Sequence, residues 1–271
     1  MSDSPAWDPV QYRRFEVERD RAALDLLLRL PDDLAPREIW DLGCGTGHHA
    51  ALLKRRHPQA RVHGLDASPE MLAQAGALAA DVDWRRGDIA GWTPDRPADL
   101  ILANASLQWL PDHADLLPRL AETLAPGGVL AVQMPVAHES RHHALLRATA
   151  AAGPWATRLA GVAPIAPLLS PEAYYDALSA SCGDIDVWTT TYLHALEGEA
   201  AVLEWMKGTA LRPHLTALTA DPGLQAAFLD ALGGALSAAF PQRPDGRTLL
   251  PFRRLFLVAR RRRRPGVAAG R

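Results

Sequence analysis

The chain has 271 residues, of which 48% are hydrophobic and 22% charged, and a formal net charge of −2. These values describe a soluble globular chain with one large domain, or one domain plus a cap. No apolar run reaches membrane-spanning length and residues 1–8 lack a basic-then-apolar opening, which argues against a membrane partner and a secretory signal. Cys44 and Cys182 form no disulfide or zinc spacing, so a reduced, cytoplasmic setting is expected.

In chain order, Trp7-Asp8-Pro9 and Tyr12 precede a helix over about 17–30, with Ala23, Leu24, Leu27 and Leu28 on its apolar side and Pro31 beyond its end. The apolar residues Ile39, Trp40 and Leu42 lead into Gly43, Gly45 and Gly47 and then the apolar segment Ala50-Ala51-Leu52-Leu53. That is strand, glycine loop, helix. A second strand over 61–65 ends at Asp66, and Ser68-Pro69-Glu70 opens a helix as N-cap, first-turn proline and first-turn acid. A third strand covers 82–85, and the apolar run 99–103 reads as a strand buried on both faces. After a helix over about 114–124, Pro126-Gly127-Gly128 is expected to turn into a fifth strand, 129–134. Strands alternating with helices mean a parallel sheet.

Beyond Pro135 the pattern loosens. Helices are expected near 142–151 and 172–181, a sixth strand over 184–193, helices over 200–211 and 222–240, and a seventh strand over 249–260. The fold class is therefore α/β, a sheet of seven mostly parallel strands with helices on both faces. Residues 1–260 read as a single domain with a helical cap from about 136–182 and 197–248, and 261–271 as a disordered, arginine-rich tail.

The glycine loop carries the first chemistry. Ligands of doubly wound folds sit beyond the carboxyl ends of the strands, where backbone without Cβ turns sharply and touches them. A dinucleotide fingerprint needs Gly-x-Gly-x-x-Gly, and its last glycine is His48 here. Instead an acid, Asp41, stands before Gly43. An anionic pyrophosphate is served by helix N–H groups, whereas a ligand carrying an ammonium and a sulfonium is served by a carboxylate. Asp41-Leu-Gly43-Cys-Gly45-Thr-Gly47 resembles motif I of the class I S-adenosylmethionine (SAM) methyltransferases. The resemblance implies a Rossmann-like class I methyltransferase fold with SAM as cofactor. Cys44 reads as a small residue that fits the loop.

Successive strand ends add polar groups. Asp66, closing strand two, is placed to accept two hydrogen bonds from a ribose diol. Asp88, beyond strand three, is placed to accept from an adenine amino group, with Ile89 alongside the ring. Asn104 ends strand four in the switch region, facing the amino-acid part of SAM or the acceptor. The expected cofactor-binding set is Asp41, Gly43, Gly45, Gly47, Asp66, Asp88, Ile89 and Asn104.

Strand four continues Asn104-Ala-Ser-Leu-Gln-Trp109-Leu-Pro-Asp-His113, without the Asn-Pro-Pro-Tyr of amide and exocyclic-amine N-methylation. Together with Trp7-Asp8-Pro9, Gly128-Val-Leu-Ala-Val-Gln-Met-Pro135, Ala173-Tyr-Tyr-Asp-Ala-Leu178, Trp188-Thr-Thr-Thr-Tyr192, Leu211-Arg-Pro213 and Arg254-Leu-Phe256, it resembles the trans-aconitate 2-methyltransferase family over about 7–261. The resemblance implies SAM-dependent methylation of a carboxylate of trans-aconitate, giving a monomethyl ester and S-adenosylhomocysteine. The implied partner is a small tricarboxylate; a monomer is expected, with no nucleic acid and no membrane involved.

A carboxylate near pKa 4 is already ionised at neutral pH, so no general base and no catalytic side chain are expected. Alignment in a site closed to water is then sufficient chemistry. The acceptor's other carboxylates call for bidentate arginine. Arg212 and Arg254 lie in the family-like segments, and Tyr12, Trp109, His143 and Tyr175 complete the expected substrate-binding set. Arg253 points the other way along its strand and is expected in solvent.

Other patterns have plainer readings. His138-Glu139-Ser140-Arg141-His142 matches a zinc-protease pattern, but that chemistry needs the motif inside a helix, and here the stretch begins one. No metal is expected. The arginine run 260–264 reads as a solvated terminus rather than a nucleic-acid patch, because no aromatic or second basic cluster accompanies it. Three alternatives stay open. One is a carboxyl methyltransferase for another small or carrier-bound acid, such as a malonyl group. The others are a NAD(P) oxidoreductase, disfavoured by His48, and a non-catalytic SAM-binding protein, disfavoured by the intact motif I.

Overall fold

The apolar runs become strands β1 (Glu38–Leu42), β2 (Arg61–Asp66), β3 (Asp83–Arg86), β4 (Ala98–Asn104), β5 (Leu124–Pro135), β6 (Cys182–Glu197) and β7 (Arg247–Arg261). The helices are α1 (Glu16–Leu28), α2 (His48–Arg56), α3 (Pro69–Gly76), α4 (His113–Glu122), α5 (Arg141–Ala151), α6 (Ala156–Leu159), α7 (Pro171–Ser179), α8 (Ala201–Lys207), α9 (Arg212–Leu218) and α10 (Pro222–Ala239). The structure is a computed structural model that describes residues 16–78, 80–163, 165–198 and 200–263. Tyr12 and the tail from 264 onward lie outside the described residues.

The seven strands form one sheet in the order β3-β2-β1-β4-β5-β7-β6. β1 pairs in parallel with β2 and β4, β2 with β3, and β4 with β5. The order reverses between β1 and β4, and the carboxyl ends beside that switch are where such sheets bind ligands. The crossovers from β1 to β3 step one way along the sheet and the crossover from β4 to β5 steps the other. Right-handed connections therefore put α2 and α3 on one face and α4 on the other. Covered from both sides, Ile39, Leu42, Leu100, Ile101 and Leu102 have no exposed surface.

Local chemistry sets the element ends. Ser68 caps α3 by accepting from Met71 N–H at 3.2 Å, and Ser170 caps α7 by accepting from Ala173 N–H at 3.2 Å, each followed by proline in the first turn. Two expectations fail on the same grounds. Pro126-Gly127-Gly128 lies within β5 rather than before it, with Gly127 at φ +84° and a register shift against β4 between Ala98 and Leu100. Glycine bends this strand instead of starting it. The helix expected over 200–211 ends at Lys207, and a separate α9 begins at Arg212, because Pro213 lacks an N–H and suits a first turn.

The chain divides into two compact units. The sheet unit comprises Asp20–Pro135, Leu168–Thr190 and Leu255–Arg271. Among the described residues the helical unit comprises 16–19, Val136–Pro167 and Thr191–Arg254. The helical unit has its own core, in which Leu146, Trp155, Met206, Phe228, Leu232 and Phe252 are buried together and Trp155 meets Phe228 edge-on at 5.4 Å. At the end of β7, Arg260 bonds both carboxylate oxygens of Asp33 at 2.9 Å, Arg261 donates to the Glu122 and Leu124 carbonyls, and Arg262 donates to the Ser179 carbonyl. Hydrogen-bonded chain thus extends past Arg260, where the tail was expected to begin. Among the described residues no helix is long and apolar enough to cross a membrane.

Candidate functional site

The loop after β1 is built by its own backbone. Gly43 and Cys44 donate their N–H groups to the Leu65 carbonyl at 2.7 and 3.0 Å, which ties the loop to the end of β2. Gly45 N–H donates to Asp66 Oδ2 at 2.8 Å, and Ser68 N–H donates to Asp66 Oδ1 at 2.9 Å. Asp66 therefore clamps two loops, yet each carboxylate oxygen keeps a further lone pair for a ligand hydroxyl. Gly43 sits at φ +77°, and a Cβ there would stand 2.3 Å from Ser106 Cβ. Gly47 sits at φ +83°, and a Cβ there would stand 2.5 Å from the Trp84 ring. Only glycine fits either position.

Asp41 lies behind this loop, fully buried at the end of β1. Burial pushes its carboxyl up to about 6; the nearby Asp66 charge adds to the rise, while His49 and the Ala50 N–H oppose it. Its Oδ2 accepts no hydrogen bond among the described residues. A buried carboxylate with a free oxygen is a strong demand for a cation or a donor. Burial also holds the Cys44 thiol far above the ordinary thiol range, which makes it an inert packing group. Ile89 is buried, with its Cδ1 3.6 Å from the point where a Gly43 Cβ would lie. Asp88 is exposed and caps the following turn through Ala90 N–H at 2.9 Å. Asp41, the three glycines, Asp66 and Ile89 are thus assembled around one loop, with Asp88 next to Ile89.

The neighbouring strand ends are less settled. Asn104 closes β4 with its Oδ1 buried and without a hydrogen-bond partner among the described residues. The next residue, Ala105, takes φ +52°, a left-handed conformation that a non-glycine residue adopts at a cost. This twist turns Ser106 toward the glycine loop, where its Oγ donates to the Leu42 carbonyl at 2.7 Å. Gln108 donates its Nε2 to the Ala105 carbonyl at 2.7 Å, leaving its buried Oε1 unmet. His113 anchors the turn: its Nε2 donates to the Leu107 carbonyl at 2.8 Å, so its Nδ1 accepts from the Tyr174 hydroxyl at 2.6 Å. Trp109, expected in the substrate set, is 46% exposed, and Tyr175 is 50% exposed. Of the two adjacent tyrosines it is Tyr174 that faces inward, where burial raises its hydroxyl pKa.

The expected acceptor residues Arg212, Arg254 and His143 belong to the helical unit. Arg212 opens α9 with its Nη1 buried and without a hydrogen-bond partner among the described residues. Arg254 is 4% exposed, its guanidinium 4.5 Å over the Phe252 ring, whereas Arg253 is exposed and pairs with Glu139. The alternation along β7 is the one expected from strand geometry. Ser140 Oγ gives its proton to the Ala137 carbonyl at 2.8 Å, so His143 Nδ1, also at 2.8 Å, donates to it. Burial, followed by Arg147, His138 and His214, pushes His143 down to about 4, and it is neutral at pH 7. The zinc-like pattern is broken by the fold: α5 starts at Arg141, so His138 and Glu139 precede the helix, and Glu139 is engaged by Arg253.

Sequence reasoning missed Ser106, Gln108, His113, Tyr174 and Gln133. Gln133 is the informative omission, a polar residue in the otherwise apolar run 129–134 of a strand buried on both faces.

A methyltransferase-domain family model matches residues 39–128. The trans-aconitate 2-methyltransferase of Azoarcus sp. strain BH72 is 50% identical over 256 residues, 94% of this chain and 99% of that protein. Its namesake in Methylobacterium radiotolerans is 50% identical over 258 residues, 94% of this chain and 98% of that protein. The one in Streptomyces coelicolor is 46% identical over 266 residues, 95% of this chain and 88% of that protein. Among solved structures, the YcgJ protein of Bacillus subtilis aligns with a TM-score of 0.56 at 16% identity, covering 90% of this chain and all of its own. A Haemonchus contortus phosphoethanolamine N-methyltransferase 2, solved with phosphomonomethylethanolamine and S-adenosylhomocysteine, aligns at 0.54 and 17% identity, covering 89% of this chain and 52% of its own. At such identities these structures establish the shared fold.

Proposed function

The chain belongs to the trans-aconitate 2-methyltransferase family, and we propose from that membership that it transfers a methyl group from SAM to a carboxylate of trans-aconitate, releasing the monomethyl ester and S-adenosylhomocysteine. The observation that carries the donor half of this reading is Asp41, a buried carboxylate whose Oδ2 is unmet among the described residues, beside a loop with no room for a side chain at Gly43 or Gly47. Those residues fit a cationic, nucleoside-bearing ligand. Asp66 would hold the ribose hydroxyls, Asp88 and Ile89 the adenine, and Asn104 the amino-acid end. Bound there, the donor supplies an electrophilic methyl on a positively charged sulfur.

The chain's own contribution is binding and alignment. An ionised acceptor carboxylate needs no proton removed, so no side chain has to act as base. Arg212, with a buried Nη1 that lacks a partner among the described residues, and Arg254, buried over Phe252, would hold the carboxylates that do not react. His143, Trp109, Tyr175 and Tyr12 complete the acceptor-binding set in this reading. Neutral His143 offers hydrogen bonding without competing for the arginine-bound charge. The remaining expectations join the proposal: a monomer in a reducing cytoplasm, where Cys44 and Cys182 stay free and buried, acting without nucleic acid. The arginines that close β7 support the last point, since Arg260, Arg261 and Arg262 already bond within the chain.

The test is incubation of the purified protein with methyl-labelled SAM and a panel of di- and tricarboxylates, with products identified by mass spectrometry. A labelled monomethyl ester of trans-aconitate is expected. Label on a carrier-bound malonyl group instead, or on no acid at all, defeats the reading.

A further inference from the structure

β5 carries Gln133 within its apolar run, and Gln133 has no exposed surface. Neither its Oε1 nor its Nε2 makes a hydrogen bond among the described residues. An interior amide with both ends unmet is rare and expensive, and methionine would fill the same space without that cost. Such a group calls for a ligand.

The register says where it stands. Gln133 and Asn104 are direct partners in the parallel pairing of β5 and β4, so their side chains leave the same face of the sheet as neighbours. Asn104 Oδ1 is likewise buried and unmet. Asp41 is paired with Leu102, two residues before Asn104, and leaves that same face. Unmet polar atoms thus sit in a row across the carboxyl ends of β1, β4 and β5. The acids assigned to the donor all lie on β1, β2 and β3 or just beyond them. Gln133 lies on the opposite side of β4 from them.

We propose that the side-chain amide of Gln133, through its unmet Nε2 donor, binds the carboxylate that receives the methyl group, and thereby selects which carboxylate of the acceptor reacts, while the unmet Oδ1 of Asn104 stays with the donor's ammonium. This rests on the proposed methyl transfer to a carboxylate. The chemistry favours amides here over arginine. The reacting carboxylate loses its charge as the ester forms, so an ion pair to it would be strongest before reaction and would resist the step. A neutral N–H orients the oxygen while leaving more of its charge available to attack. The carboxylates that keep their charge are the ones suited to arginine. When the carboxylate oxygen bonds the methyl carbon, the carbon–sulfur bond breaks with its electrons left on sulfur, and no proton moves.

The experiment is Gln133→Met, with Gln133→Leu as a second apolar variant. Four quantities are measured: thermal midpoint, calorimetric affinity for S-adenosylhomocysteine, kcat and KM with trans-aconitate, and the ratio of ester regioisomers. We expect an unchanged or raised midpoint, unchanged affinity for S-adenosylhomocysteine, at least a tenfold loss of kcat/KM, and a mixed regioisomer ratio where the parent protein gives one product. Wild-type kcat/KM with a single regioisomer in either variant overturns the proposal. So does a matching loss of affinity for S-adenosylhomocysteine, which would move Gln133 to the donor side, or a lowered midpoint in both variants, which would make it structural. An unmutated protein that forms no ester defeats the underlying function instead.

Discussion

At the carboxyl ends of β1 and β2 the main chain is the binding tool. Glycine N–H groups are bonded to the Leu65 carbonyl and to Asp66, and the side chains involved are short and fixed. At the ends of β4 and β5 the main chain is conventional apart from Ala105, and the unmet groups are side-chain amides: Asn104, Gln108 and Gln133. Apart from the unmet Oδ2 of Asp41 the first region is finished before any ligand arrives, while the second keeps several amide atoms open in the interior. A donor common to a whole superfamily allows a rigid, main-chain cradle. An acceptor that must be told apart from related acids requires side chains that are satisfied only when the right one is present, because a wrong ligand leaves them unpaired.

The sharpest way to break that contrast is Asp66→Ala. It removes the clamp on Gly45 and Ser68 as well as the proposed ribose acceptor. Donor affinity should fall by about 3 kcal/mol, the upper end for a hydrogen-bonded charged group, with acceptor KM little changed at saturating donor. Calorimetry with S-adenosylhomocysteine reads this directly; an affinity within threefold of the parent would mean the loop does not depend on Asp66. Next comes Arg254→Ala against Arg253→Ala. Loss of the buried arginine should raise acceptor KM by about 2 kcal/mol in equivalent free energy, as for a charge-assisted bond. Loss of its exposed neighbour should be nearly silent, because surface ion pairs contribute little. Equal effects from the two would remove Arg254 from the acceptor set.

The same contrast explains what could be read from the chain alone. The proposed donor cradle is local: Asp41, the glycines and Asp66 are picked out by spacing, because each lies within a few residues of a strand end. The sheet followed from its apolar runs for the same reason. The residues proposed for the acceptor come from distant segments, and their signals are single residues. In α7, nine residues long, adjacent Tyr174 and Tyr175 both fit the pattern, and only packing against His113 decides which faces inward. Gln133 was overlooked because a lone glutamine in an apolar strand carries no motif. Its meaning comes from the register with Asn104, which no spacing rule encodes.

Tyr174→Phe probes the support beneath β4. It deletes the hydroxyl that donates to His113 Nδ1 and leaves that nitrogen buried without its partner. Stability should drop by about 1.5 kcal/mol, the cost of an orphaned interior acceptor, with kcat reduced less than in the Gln133 variants. A chemical-denaturation midpoint equal to that of the parent would show that the turn holds without this bond.

The smallest effect is also the most diagnostic of the donor cradle, because it has a sign in pH. Asp41 titrates near 6 in the folded chain, well above the ordinary carboxyl value of about 4. If its ionised form is what a cationic donor meets, affinity should be about tenfold weaker at pH 5 than at pH 8, or about 1.4 kcal/mol. Asp41→Asn should bind weakly at both values and lose the slope. Stability without ligand should move the other way. Between pH 6 and 4 the folded state binds a proton at Asp41 that the unfolded chain does not, so acidification through this window stabilises. His143, held near 4 against 6.5 when unfolded, has the opposite sign: it withholds a proton that the unfolded chain takes up, so the same acidification destabilises. The two partly cancel in the parent. In Asp41→Asn the histidine acts unopposed, and denaturation midpoints should fall more steeply from pH 6.5 to 4 than in the parent. Parallel midpoint curves for the two proteins would mean that Asp41 is not the buried, cation-seeking acid on which the donor cradle depends.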